Sequence, residues 1–288
     1  MAHTTYTTQG SEMYAEWIAP AMVAARAAGI FMPGMIGRTL PGFWFKDLTG
    51  LQTKVASFPL ENYFTGYDVS EDEDHNVAQA YTPTDATVTV SEKIAIEVVT
   101  KMSSRTAAQD PVARAGRMLG QAIAEKLSGD VYALHTSFDN ESGTSGSAAT
   151  WPLLAAARNS LETRNYRGPY AAILKPRQYY DIVNGGTVTM ISGTDGAAEQ
   201  IVRNYDIDPI GGINIIRDPL IPSANSGADW SGAVYSGRPA VGIAILWELE
   251  PDFEHDASYR LDQFVATMCY GVGEIDGAAA NAYETDYA

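Results

Sequence analysis

The 288-residue sequence predicts an α+β fold in which one long helix stands between a projecting strand hairpin and a mixed α/β module. Three observations carry this. Within residues 86–101, Val88, Val90, Ile94, Ile96 and Val98 share one parity, the period of two that marks a strand. From Asp110 onward, Val112, Ala115, Leu119, Ile123, Leu127, Val131, Leu134 and Phe138 recur at steps of three and four, the stripe of an amphipathic helix. Beyond a Gly- and Ser-rich bridge at 139–150, helical and strand patterns alternate.

In chain order, residues 11–29 are Ala-rich and carry Met13, Trp17, Ile18, Met22 and Val23 at helical spacings. Pro20 is expected to break this stretch into two short pieces, giving an arm with apolar faces. Residues 30–51 mix Gly and Pro with Phe31, Met32, Phe43, Trp44 and Phe45, which suits an irregular connection packed against something apolar. A long hairpin should follow, outgoing near 53–60 and returning as one strand of about 14 residues, some 45 Å long at ~3.3 Å per residue. Between its arms lies an acidic run, Asp68, Glu71, Asp72, Glu73 and Asp74, that reads as a solvated tip.

Asp110 before Pro111 is a strong helix start, since Asp caps free amides and Pro at the first position loses no hydrogen bond. The helix it opens should run to Phe138, with room for a kink at Gly129. After the bridge, the pattern predicts a helix over 151–164, a buried strand over 170–174, a helix from Pro176 to the Gly185 and Gly186 pair, and a short helix after Asp195. Strands are expected at 213–217, 233–236, 242–247 and 261–270.

Composition narrows the function. The hydrophobic content of 45% supports a sizeable core, and a net charge of -16 disfavours a dedicated nucleic-acid binder, which needs surplus Lys and Arg against phosphate. No stretch reaches the roughly 20 uninterrupted apolar residues of a membrane helix, and no secretory signal is recognisable, so a cytosolic site of synthesis with no membrane partner is expected. The single Cys269 lies in an apolar run and should be a buried, inert thiol. His3, His75, His135 and His255 are scattered, with no metal-ligand spacing between any two. The phosphate-loop, zinc-protease and Cys/His zinc patterns are absent, 271–277 misspaces a dinucleotide glycine loop, and 143–147 misses the serine elbow. The acidic run at 68–74 lacks the glycine and terminal glutamate of a calcium loop. The sequence therefore predicts neither catalytic residues, cofactor nor metal site.

An apolar arm, long hairpin, spine helix, Gly/Ser bridge, α/β module and returning strands, in that order, resemble the major capsid proteins of tailed bacteriophages, which share the Hong Kong 97-like fold. Local passages agree: DPVARAGRMLGQAIAEKLSGDVYALHTSF resembles the family's spine helix, YAAILKPRQYYDIVNG its recurrent strand and helix passage, and GGINIIRDPLIP another habitual segment. The resemblance implies an N-terminal arm and connection at 1–52, an extended loop at 53–101, a peripheral domain from 102–149 with 253–288, and an axial domain at 150–252. It also implies a structural role and no enzyme: self-assembly as pentamers and hexamers into an icosahedral shell around double-stranded DNA, in a virion assembled in the host bacterial cytoplasm.

On that resemblance, the arm residues Met13, Trp17, Ile18 and Met22 and the acidic tip would serve assembly across neighbouring subunits, while Asp110, Leu119, Ile123 and Leu127 would build the spine. A portal and a possible decoration protein would be partners. Some members cross-link through a lysine on the extended loop, but no lysine occurs between Val55 and Glu92 here, so stability by non-covalent overlap is expected. Members that carry their own scaffold begin with a long charged helical prefix that is not seen before the arm here, so a separate scaffolding protein is expected, unless a longer precursor is trimmed before this numbering begins. The alternatives are an encapsulin-like nanocompartment shell, related in fold, and a cytosolic α/β enzyme with an unrecognised site.

Overall fold

The structure, a computed structural model, describes residues 19–28, 40–51, 53–60, 66, 68, 80, 83–102, 111–143, 145–184 and 211–286. Helix α1, Ala19–Ala28, carries Pro20 in its first turn. A proline there forfeits no intrahelical bond, so Pro20 is accommodated at the start of this helix; the piece expected before it lies outside the described residues. α1 packs on α2, Pro111–Tyr132, at a crossing with no room for side chains. A Cβ on Gly120 of α2 would sit 1.9 Å from the Ala21 carbonyl oxygen.

The predicted stripe of α2 is its buried face: Ala115, Leu119, Ile123, Leu127 and Val131 are all almost fully covered. The helix runs through Gly129 and ends six residues earlier than expected, at Tyr132 and not Phe138. A separate 3-10 turn, His135–Ser137, follows.

A four-stranded sheet lies against α2, in the order β1 (Phe43–Asp47), β10 (Val241–Asp256), β11 (Leu261–Glu274) and β4 (Ser91–Thr100). β1 is parallel to β10, and the other pairs are antiparallel. The expectation of an irregular connection at 43–47 is thus corrected. A strand forms because Phe43 to Asp47 pair with Val241 to Ile245, a partner far away in sequence. β1 covers β10 only as far as Ile245, and beyond two register shifts β10 becomes an edge. Pro251 is tolerated there because, among the described residues, no further strand needs its missing N–H.

The single returning strand expected at 86–101 is two strands. β3, Thr84–Thr89, pairs with β2, Val55–Leu60, in a separate ribbon, and after Val90 the chain enters β4, which pairs with β11. One residue divides two sheets. The ribbon lies on one face of the four-stranded sheet, where Ala56, Phe58, Val88 and Val90 bury against Ala244, Cys269 and Ile275. Gly242, Gly271 and Gly273 make that approach possible, since a Cβ on Gly271 would come 2.4 Å from the Thr89 carbonyl oxygen.

The second sheet has the order β5 (Glu141–Gly143), β12 (Ala280–Asp286), β9 (Asp229–Tyr235), β6 (Tyr170–Leu174) and β7 (Ile213–Arg217), with β8 (Ser223–Ala224) paired to β9. α3, Trp151–Thr163, and α4, Pro176–Ile182, cover one face, on which Tyr170, Ala172, Leu174, Ile213, Val234 and Tyr283 pack. The other face turns Ile173, Ala233 and Tyr235 toward the core under α2. β6 and β7 are parallel, as α/β alternation requires. The helix expected after Asp195 lies outside the described residues. Two features cross the expected domain limits: β10 runs through residue 252, and β12 belongs to the second sheet.

Candidate assembly surface

The two sheets are joined by buried polar side chains at the end of α2. The Tyr132 hydroxyl donates to Asp218, which also accepts from the Leu220 N–H at 2.7 Å. His135 is fully buried; its Nδ1 lies 2.8 Å from the Ser231 carbonyl oxygen and its Nε2 2.7 Å from the Tyr235 hydroxyl. A carbonyl can only accept, so Nδ1 carries the proton and Nε2 accepts from Tyr235. Burial drives the His135 pKa down to about 4, which keeps the ring neutral. Tyr270 of β11 donates to Asp130 at 2.8 Å, and burial pushes its phenol pKa upward. In the second sheet Gln178 donates to Trp230 O at 3.1 Å, Tyr283 O at 3.1 Å and Thr285 Oγ1 at 2.9 Å, clamping α4 onto β9 and β12.

The predicted assembly residues fall in three groups. Leu119, Ile123 and Leu127 form the buried seam of α2, as a spine requires, while Asp110 lies outside the described residues. Met22 packs half-buried against the core from α1; Met13, Trp17 and Ile18 lie outside the described residues. Asp68 is exposed, and Glu71, Asp72, Glu73 and Asp74 lie outside the described residues. Cys269 is buried under the β2–β3 ribbon, and burial raises its thiol pKa, which fits an inert side chain.

The residues that sequence reading missed lie on the ribbon-bearing face of the four-stranded sheet, beyond the point where the ribbon stops. Antiparallel partners project to the same side. Glu250, Thr267 and Ile94 therefore form one row, Asp252, Val265 and Ile96 the next, and Glu254, Gln263 and Val98 a third. The acidic column is exposed along β10, and the apolar column on β4 is bare: Ile94 is 58%, Ile96 50% and Val98 49% exposed. The opposite parity, Ala95 and Val99 with Phe264, Ala266 and Met268, faces the core under α2. So the periodicity at 86–101 is real, but past Val90 its apolar side points to solvent. The acidic alternation at 250, 252 and 254 was readable as period two in the sequence. It gains meaning only beside the isoleucine column, 150 residues away in the chain.

Among the described residues no group of three or more His, Cys, Asp or Glu side chains is placed to hold a metal, and no helix is long and apolar enough to cross a membrane. One open cleft of about 510 Å³ lies between the end of α3 and β6, lined by Arg158, Arg167, Tyr166 and Tyr170. Arg158 is already held there, ion-paired to Glu162 at 2.7 Å and stacked on Tyr170.

No curated protein sequence matches the chain. Solved structures do. The fold is similar to a Mycobacterium phage Che8 structure, with 17% identity, a TM-score of 0.66 and coverage of 81% of this chain and 85% of that one. It is also similar to the capsid of the cyanophage P-SCSP1u, with 16% identity, a TM-score of 0.67 and coverage of 90% and 94%. A virus-like particle from Pyrococcus furiosus matches at 10% identity and a TM-score of 0.58, covering 92% and 96%. At such identities the likeness shows the fold, and the fold class expected from the sequence, α+β and Hong Kong 97-like, holds. The sequence model of the phage capsid protein family matches residues 85–281, from β3 of the hairpin through the start of β12, which is well over half of the chain. With the match running from the returning arm of the hairpin through the spine helix and most strands of both sheets, this chain belongs to the phage capsid protein family and is a structural protein, not an enzyme.

Proposed function

We propose that this chain is the major capsid subunit of a tailed bacteriophage, closing as pentamers and hexamers into an icosahedral head around double-stranded DNA. The observation that carries the reading is the β2–β3 ribbon laid on a sheet whose other face holds the spine helix, in a chain that aligns over most of its length with phage capsids. A subunit that leaves apolar strand residues bare is suited to contacts with other chains. The hairpin at 53–101 would be the extended loop, 102–149 with 253–288 the peripheral domain and 150–252 the axial domain. The acidic tip and the arm at Met13, Trp17, Ile18 and Met22 would reach neighbouring subunits.

The place of work is the virion shell, assembled in the host cytoplasm with a separate scaffolding protein and a portal. A net charge of -16 fits a container that lets packaged DNA move. With no lysine between Val55 and Glu92, the outer part of the hairpin has no side-chain amine to offer for an isopeptide bond, so subunits from mature particles should migrate on denaturing gels as single chains. Sedimentation and negative-stain microscopy of the expressed chain, alone and with its scaffolding protein, test the reading. Closed particles of very large mass are expected, and a stable monomer or dimer under both conditions would sink it.

A second reading, an encapsulin-like compartment holding protein cargo, is favoured by the likeness to the Pyrococcus furiosus virus-like particle. The match to a phage capsid family ranks it second. Double-stranded DNA inside native particles decides for the head, and enzyme cargo decides for the compartment.

A further inference from the structure

One half of a face of the four-stranded sheet carries apolar side chains that the described residues leave uncovered. The same face has two halves. Near Gly242, Gly271 and Gly273 it is covered by the chain's own β2–β3 ribbon, and Cys269 beneath that ribbon is only 4% exposed. Farther along, the three rows from Glu250–Thr267–Ile94 to Glu254–Gln263–Val98 have no such cover among the described residues, and Ile94, Ile96 and Val98 remain about half exposed. Three β-branched side chains in one column, with Val265 beside them, make a continuous apolar strip of the kind that marks a contact site and not a solvated strand.

Charge selects the occupant. On this half of the face the exposed ionisable groups of β4 and β10 are Glu92, Glu250, Asp252 and Glu254; Lys54 stands at its boundary near Cys269, and no Lys or Arg shares their parity on β4, β10 or β11 in these rows. Lys93 is on the other parity, over the Tyr270 ring. An acidic column beside an apolar one repels DNA, and it disfavours the acidic 68–74 run of a second copy. It attracts a partner with the converse pattern. We propose that the face binds a separate protein through a segment that sets Lys or Arg over Glu250, Asp252 and Glu254 and aliphatic side chains over Ile94, Ile96 and Val98. This rests on the shell reading only in taking such a partner to be a companion of the capsid.

The test uses the full chain in whatever state it purifies, with particle formation scored separately by negative stain. The probe is a fluorescent synthetic peptide alternating Lys and Val, compared with Lys/Ser and Glu/Val peptides by anisotropy. Binding of the Lys/Val peptide is expected, with affinity lowered about tenfold or more by Ile96→Ser with Val98→Ser, and again by Glu250→Lys with Glu254→Lys. Binding that is equal in parent and both variants would show a basic peptide attaching anywhere on an acidic chain, and would overturn the proposal. So would Ile96→Ser with Val98→Ser abolishing particles that the parent forms, since the face would then lie between copies. A parent that forms no particles, alone or with its scaffolding protein, yet binds the peptide with the expected variant pattern sinks the shell reading and leaves the docking face standing.

Discussion

The six-stranded sheet and the lower half of the four-stranded sheet follow opposite rules within one chain. All five residues of β6 are buried, enclosed by α3 and α4 on one side and by the core under α2 on the other. Of the ten residues of β4 only Val99 is buried, and its isoleucines point to solvent. The six-stranded sheet is covered on both faces at β6; the four-stranded sheet is covered along its whole length on one face alone. The difference marks where the stability of the subunit ends and its capacity for contacts begins.

Four measurements would break or sharpen that contrast, in descending order of effect. Tyr235, fully buried between the two sheets and bonded to His135, should be the most costly: Tyr235→Ala is expected to lose about 3–5 kcal/mol in denaturant unfolding, as deletion of a buried aromatic ring usually does. A loss below about 1 kcal/mol would show that the junction is not a core.

The second concerns pH. His135 has a folded pKa of about 4 against an ordinary value near 6.5, so the unfolded chain takes up a proton that the folded chain refuses between those values. The neutral ring therefore contributes stability that is fully present above about pH 6.5 and is lost as pH falls toward 4, about 3 kcal/mol in all. Unfolding free energy measured from pH 7 to 4 should fall more steeply in the parent than in His135→Gln. Parallel curves would exclude His135 as the source.

Third, Gly120→Leu should push α1 from α2, because its Cβ alone meets the Ala21 carbonyl oxygen at 1.9 Å. A cost of about 1–3 kcal/mol and faster proteolysis within α1 are expected. Last, Ile96→Ser should change subunit stability by less than about 0.5 kcal/mol, because half of that side chain is already in water. A large loss there would erase the contrast between the two sheets.

The legible parts of the fold share a cause. The α2 stripe, β6 and β7 were readable because their burial is decided locally, by a helical face or an unbroken apolar run. β1 was missed because Phe43, Trp44 and Phe45 become a strand only through a partner some 200 residues later. β12 was missed because Asn281, Glu284 and Thr285 look solvated, yet they are buried between β5 and β9 with Gln178 bonded to Thr285. The docking face was half legible. Both parities of 91–100 contain apolar residues, with Ala95 and Val99 against Ile94, Ile96 and Val98, and only the position of α2 decides which set is covered.

Val90 also has a mechanical meaning. Because it alone separates β3 from β4, tension on the hairpin enters the sheet along the axis of β4. The ten residue pairs from Ser91–Tyr270 to Thr100–Leu261 then share the load in shear, instead of opening one after another like a zipper. A pull on the hairpin meets its strongest resistance at the joint where the chain changes sheets.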